Sequence, residues 1–214
     1  MVKLFLSSSF SEVASILPEF EPNLKNKKVT FIYTASTVED VNFYVEDGKK
    51  ELENLGIIVD KLDISSSKKS EIELKLSNND FIYISGGNTF YLLQELKRTG
   101  IDKIIINEVK FGKLYIGESA GSIILAPNIE YSKYMDDISK APFLNSYDSL
   151  NLIDFYILPH NNEFPFEEST KKISDEYSSK VNLVKINNSE VILFSDEKFE
   201  IKKINSIKIL ILFI

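Results

Sequence analysis

The sequence predicts an α/β fold, a mostly parallel sheet covered by helices on both faces, with a small antiparallel strand section near its C-terminal end. Three observations predict it. Short β-branched and aromatic runs alternate with helical patterns along the first three quarters of the chain, the order that builds parallel sheets. Several of those runs are apolar throughout instead of alternating, as strands covered on both faces require. After His160 the alternation stops, and three short strand-like runs follow, split by Asn187-Asn188-Ser189 and Ser195-Asp196-Glu197.

The expected strands are Val2–Leu6, Val29–Tyr33, Ile57–Leu62, Phe81–Ser85, Lys113–Gly117 and Phe155–Pro159. Between them, Val38–Leu55 carries apolar residues at helical spacing and ends at Gly56, a C-cap residue type. Phe90–Arg98 stops before Gly100 in the same way, and Ile101–Phe111 stops at Gly112. Glu167–Lys180 reads as an amphipathic helix with acids first and lysine last, the order the helix dipole favours. Ser65–Ser70 reads as a solvated loop. The late strands are Val181–Ile186, Val191–Phe194 and Phe199–Ile204, expected as an antiparallel appendage. No internal repeat or linker divides the chain, so residues 1–214 are expected to form a single domain.

Composition narrows the function. The 214 residues carry a formal net charge of −7, which disfavours nucleic acid and anionic membranes as partners. The absence of cysteine removes disulfides, thiolate zinc sites and a cysteine nucleophile. One histidine, His160, leaves little scope for a histidine metal cluster. The N-terminal MVKLFLSSSF is too short in apolar residues for a signal peptide, and no run reaches the roughly 18 to 20 apolar residues of a membrane span. Ile207–Ile214 is apolar and reads as a buried last strand. A cytoplasmic protein is expected.

Three features fall at the C-terminal ends of expected strands, where open α/β sheets bind ligands. Gly117-Glu118-Ser119-Ala120-Gly121 matches G-x-S-x-G between a strand and a helix. In that context the serine sits on a sharp turn, and the helix that follows aims amides and its positive end at developing negative charge. A tight structural turn is the alternative. Ser85-Gly86-Gly87-Asn88-Thr89-Phe90 places adjacent glycines before a helix. They suit an anion or oxyanion site, or a simple turn with Asn88 or Thr89 as N-cap. Leu158-Pro159-His160-Asn161-Asn162 ends a strand on the histidine, the usual base for a serine nucleophile. For an orienting acid, the residues themselves leave Asp136, Asp137, Glu190 and Asp196 open.

Together SGGNTFYLL (Ser85–Leu93), LYIGESAGS (Leu114–Ser122) and LPHNN (Leu158–Asn162) resemble the peptidase E family of serine peptidases, which includes α-aspartyl dipeptidases and is related to cyanophycinases. The resemblance runs from Val2 to about Phe194. It implies a flavodoxin-like, three-layer αβα fold akin to class I glutamine amidotransferases, with serine in place of their cysteine. It implies Ser119 as nucleophile, His160 as base, and an oxyanion hole from the amides of Gly87 and Ala120. An aspartate between serine and histidine maps to Asp136, with Asp137 as rival. A glutamate after the histidine would fall near Asn188, with Glu190 close by.

The resemblance further implies a cytoplasmic peptidase of dipeptides or small peptides, monomeric or homodimeric, needing no metal or organic cofactor. Asn88 and Glu118 are the expected substrate contacts. Two departures stand out. Aspartyl dipeptidases of the family use an arginine beyond the histidine for the substrate's carboxylate, and residues 160–180 hold none, offering Ser169, Thr170, Lys171 and Lys172 instead. Glu118 stands where an apolar or aromatic residue is familiar, and could meet a substrate amino group or solvent. A non-catalytic small-ligand-binding protein and a small-molecule esterase or amidase are the alternative functions.

Overall fold

The computed structural model describes residues 1–195 and 198–204. Its strands are β1 (Lys3–Ser7), β2 (Lys28–Ile32), β3 (Ile58–Leu62), β4 (Phe81–Ile84), β5 (Leu114–Glu118), β6 (Tyr156–Leu158), β7 (Leu183–Lys185), β8 (Glu190–Ser195) and β9 (Lys198–Lys203). Its α-helices are α1 (Phe10–Val13), α2 (Leu17–Phe20), α3 (Phe43–Asn54), α4 (Lys69–Asn78), α5 (Thr89–Thr99), α6 (Ile101–Lys110), α7 (Ala120–Ile123) and α8 (Glu167–Tyr177). Seven strands form one sheet in the order β3-β2-β4-β5-β1-β8-β9. The first five in that order run parallel, and β8 and β9 are antiparallel to their neighbours.

Strand alternation sends successive side chains to opposite faces, and here both faces are apolar. Leu4, Leu6, Ile82, Ile84 and Tyr115 pack with Ile72 of α4, Phe90 and Leu93 of α5, and Ile105 of α6. Phe5, Phe31, Tyr83 and Ile116 pack on the other side with Phe10 and Val13 of α1 and with Val45 and Leu52 of α3. The result is the expected three-layer arrangement. Each buried Leu, Ile, Val or Phe contributes about 1.5–3 kcal/mol relative to exposure, so continuous apolar strands hold two helical layers at once.

The structure changes the reading of four segments. Phe155–Pro159 does form a strand, β6, but it pairs in parallel with β7 in a separate two-stranded sheet. The outer edge of β1 is taken by β8, whose register pairs Lys3–Ser7 with Ser195–Val191, which leaves β6 no place there. Of the late strands, β8 and β9 are the antiparallel pair and β7 is not. The solvated loop expected over Ser65–Ser70 runs into α4 at Lys69. The helix expected from Val38 starts at Phe43, after a 3-10 turn over Thr34–Val38. The strand expected over Ile207–Ile214 lies outside the described residues.

The sheet order puts the ends of β4, β5 and β1 side by side. Gly117 lies in register with Ile84 on one side, and Glu118 with Ser7 on the other. The serine turn therefore emerges between the glycine loop after β4 and Ser7-Ser8 at the end of β1.

Candidate active site

Ser119 stands between β5 and α7 with φ 47° and ψ −105°. A non-glycine residue reaches this region only when its surroundings impose it, at a cost of about 1–3 kcal/mol. Here its amide donates to Ser7 O at 2.9 Å. Ser122 Oγ reaches both Ser7 O (2.9 Å) and Gly117 O (3.0 Å), tying the turn to β1. The flanking glycines follow from crowding. A Cβ on Gly117 would lie 2.6 Å from Gly121 O, and one on Gly121 would lie 2.1 Å from Ile84 O. Ala120 is the first residue of α7, so its amide has no intrahelical acceptor.

His160 faces this serine. Its Nε2 is 3.0 Å from Ser119 Oγ. Its Nδ1 is 2.7 Å from Asn188 Oδ1. An amide oxygen only accepts, so Nδ1 carries the hydrogen and the Nε2 lone pair is left toward the serine hydroxyl. Three further contacts fix the imidazole and its backbone. The Phe166 ring stacks on it at 4.7 Å and 22°. The His160 amide donates to Ser8 Oγ at 3.0 Å, and that hydroxyl donates to Ile186 O at 3.2 Å. Burial pulls the imidazole pKa below its ordinary value, against smaller opposite pulls from Asn188 and the Glu163 carboxylate. The ring is therefore neutral at pH 7, as a base requires.

The glycine loop lies beside the serine. A Cβ on Gly86 would be 3.4 Å from Ser119 Cβ and 3.5 Å from the Tyr44 ring. Gly87 has φ +127°, and a Cβ there would stand 2.3 Å from the Ala35 carbonyl. Only glycine fits this turn, which brings the Gly86-Gly87 backbone against the nucleophile position.

The acid expected at Asp136 is not beside the histidine. Asp136 Oδ2 accepts from the Thr89 amide at 3.0 Å, at the start of α5, and burial raises its pKa to about 6. Its rival Asp137 caps the short turn Ile138–Lys140 by accepting from Ser139 N at 2.9 Å. Glu190 accepts from Asn187 N at 2.9 Å, and Asp196 lies outside the described residues. The position next to the imidazole belongs to Asn188. A neutral amide oxygen meets the one requirement there, an acceptor for Nδ1–H.

The two expected substrate contacts are also engaged elsewhere. Asn88 is fully buried and is the N-cap of α5; its Oδ1 accepts from Tyr91 N at 3.0 Å, and its Nδ2 donates to Asp137 O at 3.0 Å. Glu118 is 2% exposed and accepts from Phe10 N, Tyr83 Oη and, at longer range, Gly86 N. β5 points the residue before Ser119 into the protein. Sequence reasoning also passed over Ser8, Tyr44 and Phe166, whose types carry no chemical signature until the loops meet. Among the described residues, no group of His, Asp and Glu is arranged to hold a metal ion, and no helix is long and apolar enough to cross a membrane.

Comparison with known proteins shows the family. The model of peptidase family S51 matches residues 4–202. An uncharacterized peptidase of Listeria monocytogenes is 55% identical over 205 residues, covering 96% of this chain and 100% of its own. An uncharacterized peptidase of Pasteurella multocida is 50% identical over 197 residues, covering 92% and 95%. Peptidase E of a Nostoc species is 34% identical over 134 residues, covering 63% and 52%. The crystal structure of a candidate peptidase E protein from Listeria monocytogenes superposes with a TM-score of 0.93 at 54% identity, covering 96% of this chain and 100% of that one. A peptidase from an acI-B1 Actinobacterium shares the fold, with a TM-score of 0.70 at 19% identity over 95% of this chain and 88% of its own. With a mostly parallel αβα sheet, a serine turn after β5 and a family match over nearly its whole length, the chain belongs to peptidase family S51 and is a peptidase.

Proposed function

We propose that the protein is a serine peptidase that hydrolyses a dipeptide or small peptide through Ser119, His160 and Asn188. The observation that carries this reading is the 3.0 Å approach of His160 Nε2 to Ser119 Oγ, with Nδ1 already committed to Asn188. His160 Nε2 takes the hydroxyl proton as Oγ attacks the scissile carbonyl carbon. The carbonyl π electrons move to oxygen, and the amides of Gly87 and Ala120 stabilise that oxyanion. The tetrahedral intermediate collapses, the C–N bond breaks, and His160 passes its proton to the leaving amine. Water, deprotonated by His160, then attacks the acyl-enzyme and restores Ser119.

Asn188 fixes the tautomer and direction of the imidazole without adding a charge. A side chain that orients the base by hydrogen bonding alone is compatible with general-base catalysis, because the base needs a free lone pair at Nε2. The reaction balances with water as the only co-reactant.

Hydrolysis of a dipeptide library, read against Ser119→Ala, tests the proposal. Release of free amino acids by the wild type and none by the variant is the expected outcome. Fluorophosphonate labelling that persists in Ser119→Ala would remove the serine from the mechanism. Turnover of simple esters with no peptide cleaved would replace the peptidase step by esterase chemistry at the same elbow.

A further inference from the structure

The carboxyl group of Glu118 is buried one residue before the nucleophile, yet it touches neither Ser119 nor His160 directly. Its Oε1 accepts from the Phe10 amide at 2.9 Å. Its Oε2 accepts from Tyr83 Oη at 2.8 Å and, at 3.5 Å, from the Gly86 amide. These donors come from three segments: the start of α1, the middle of β4 and the glycine loop. Helix α3 closes the chamber through Gly48, where a Cβ would stand 2.5 Å from Tyr83 Oη and 3.8 Å from Glu118 Oε2. The Phe10 ring meets the Tyr83 ring edge-on at 5.3 Å.

The two amides lead to opposite sides of the reaction centre. Phe10 follows Ser8 by two residues, and Ser8 Oγ receives the His160 amide. Gly86 precedes Gly87, whose amide is the oxyanion donor in the proposed reaction. A carboxylate is an acceptor only, and all three groups facing it are donors. Glutamine cannot replace it fully, because its NH2 must face at least one of them. Tyr83 can turn its hydroxyl to accept from such an amide; the Phe10 and Gly86 amides cannot.

We infer that Glu118 is a positioning residue for the Ser119 reaction, a single buried carboxyl group that holds the Ser8–Phe10 segment on which the base is anchored and the loop carrying the oxyanion donor in register with the nucleophile. The inference rests on the serine peptidase reading for its kinetic consequence but not for its structural one. Misplacement of a reacting group by about 1 Å costs about a hundredfold in rate, so loss of this tie should act on kcat before it acts on KM.

Glu118→Gln tests it with two independent readings. The chain has eight glycines and one histidine, so selective 15N labelling resolves the Gly86 and Gly87 amides and the His160 ring. In the variant the Gly86 and Gly87 resonances should move and the His160 ring signals should follow. By the same argument, kcat should fall about tenfold to a hundredfold while KM changes by less than about threefold. Tyr83→Phe is the second variant for the event that the glutamine protein does not fold. It removes one donor and leaves both amides bonded, so the same glycine resonances should shift with a smaller loss of kcat. Unmoved Gly86, Gly87 and His160 signals in the folded variants, or an unchanged kcat, would overturn the inference. If Ser119→Ala keeps full turnover, the peptidase reading fails, and the resonances still decide whether Glu118 holds the two loops.

Discussion

Asn188 Oδ1 lies 2.7 Å from His160 Nδ1, so the imidazole that faces Ser119 is oriented by a neutral side chain. Asn188→Ala removes the acceptor and lets the ring turn or take the other tautomer. Activity as kcat/KM should fall by about a hundredfold or more, in line with the large losses that follow when a base is left in the wrong tautomer. Steady-state kinetics with a cleavable dipeptide checks it. The loss should fall on kcat/KM with little change in melting temperature, because Asn188 sits in a turn.

Asn188→Asp adds a charge at the same place. A carboxylate beside the ring favours the imidazolium, so the His160 pKa must rise. In the wild type, burial holds that pKa below its ordinary value, and the acidic limb of kcat/KM should lie below about pH 6.5. In the aspartate variant the limb should move to higher pH. A pH–rate profile gives the kinetic value, and NMR titration of the single histidine gives the same shift without substrate. A limb that stays put while the ring titration moves would mean that another group controls the rate.

Asp136→Asn separates stability from chemistry. The Asp136 pKa is raised to about 6 by burial, so ionisation in the folded state is disfavoured relative to the unfolded chain. The folded protein binds more protons than the unfolded one between the ordinary carboxyl range near pH 4 and pH 6, and this group's contribution to stability falls as pH rises through that window. Asparagine keeps an oxygen for Thr89 N and carries no charge. The variant should melt higher than the wild type at pH 7, with the gain shrinking below pH 6, and it should keep its activity. Loss of activity with a normal fold would return Asp136 to the mechanism.

The turn itself can be tested by adding or removing a single methyl-sized group. Gly121→Ala would place a Cβ 2.1 Å from Ile84 O, against backbone that cannot move aside cheaply. Overpacking of this kind costs about 1–3 kcal/mol or more, readable as a lower denaturation midpoint at unchanged m-value. At the nucleophile the direction reverses. Ser119 has φ 47°, so Ser119→Gly should be more stable than Ser119→Ala by about 1 kcal/mol, because glycine alone relaxes there. Both should be inactive.

The parts of the fold set by local pattern were legible in the sequence. Apolar strands such as Phe81–Ser85 declare themselves because both faces of the sheet are covered. The two ends of G-E-S-A-G declare a strand meeting a helix. Partners were harder to read than elements. Phe155–Pro159 reads correctly as a strand, but its pairing with β7 depends on β8 having occupied the edge of β1, a choice made hundreds of atoms away. Helix α4 buries only Ile72 and Leu76, too few for a helical period to show. Helices α1 and α2 are single turns, shorter than the window in which periodicity can be judged.

The site divides along the same line. Ser119, His160 and the glycine pair carry their chemistry in residue type and position, and the structure brings them together. Asn188 was reached by the resemblance as the place of a late glutamate and set aside for want of a charge, although an acceptor for Nδ1–H needs none. Glu118 was misplaced for the opposite reason: a charged residue suggests solvent or ligand, and nothing local reveals that three donors wait for it inside.

Two consecutive residues, the last of β1 and the one after it, hold both partners, Ser7 O taking the Ser119 amide and Ser8 Oγ taking the His160 amide. Ser119 and His160 are thus mounted on one short segment, with their side chains already 3.0 Å apart. The aromatic ring on the imidazole belongs to Phe166, in the segment just before α8 and apart from β1. Because both amides hang from adjacent residues, a displacement of Ser7-Ser8 would carry serine and histidine together and leave their separation unchanged.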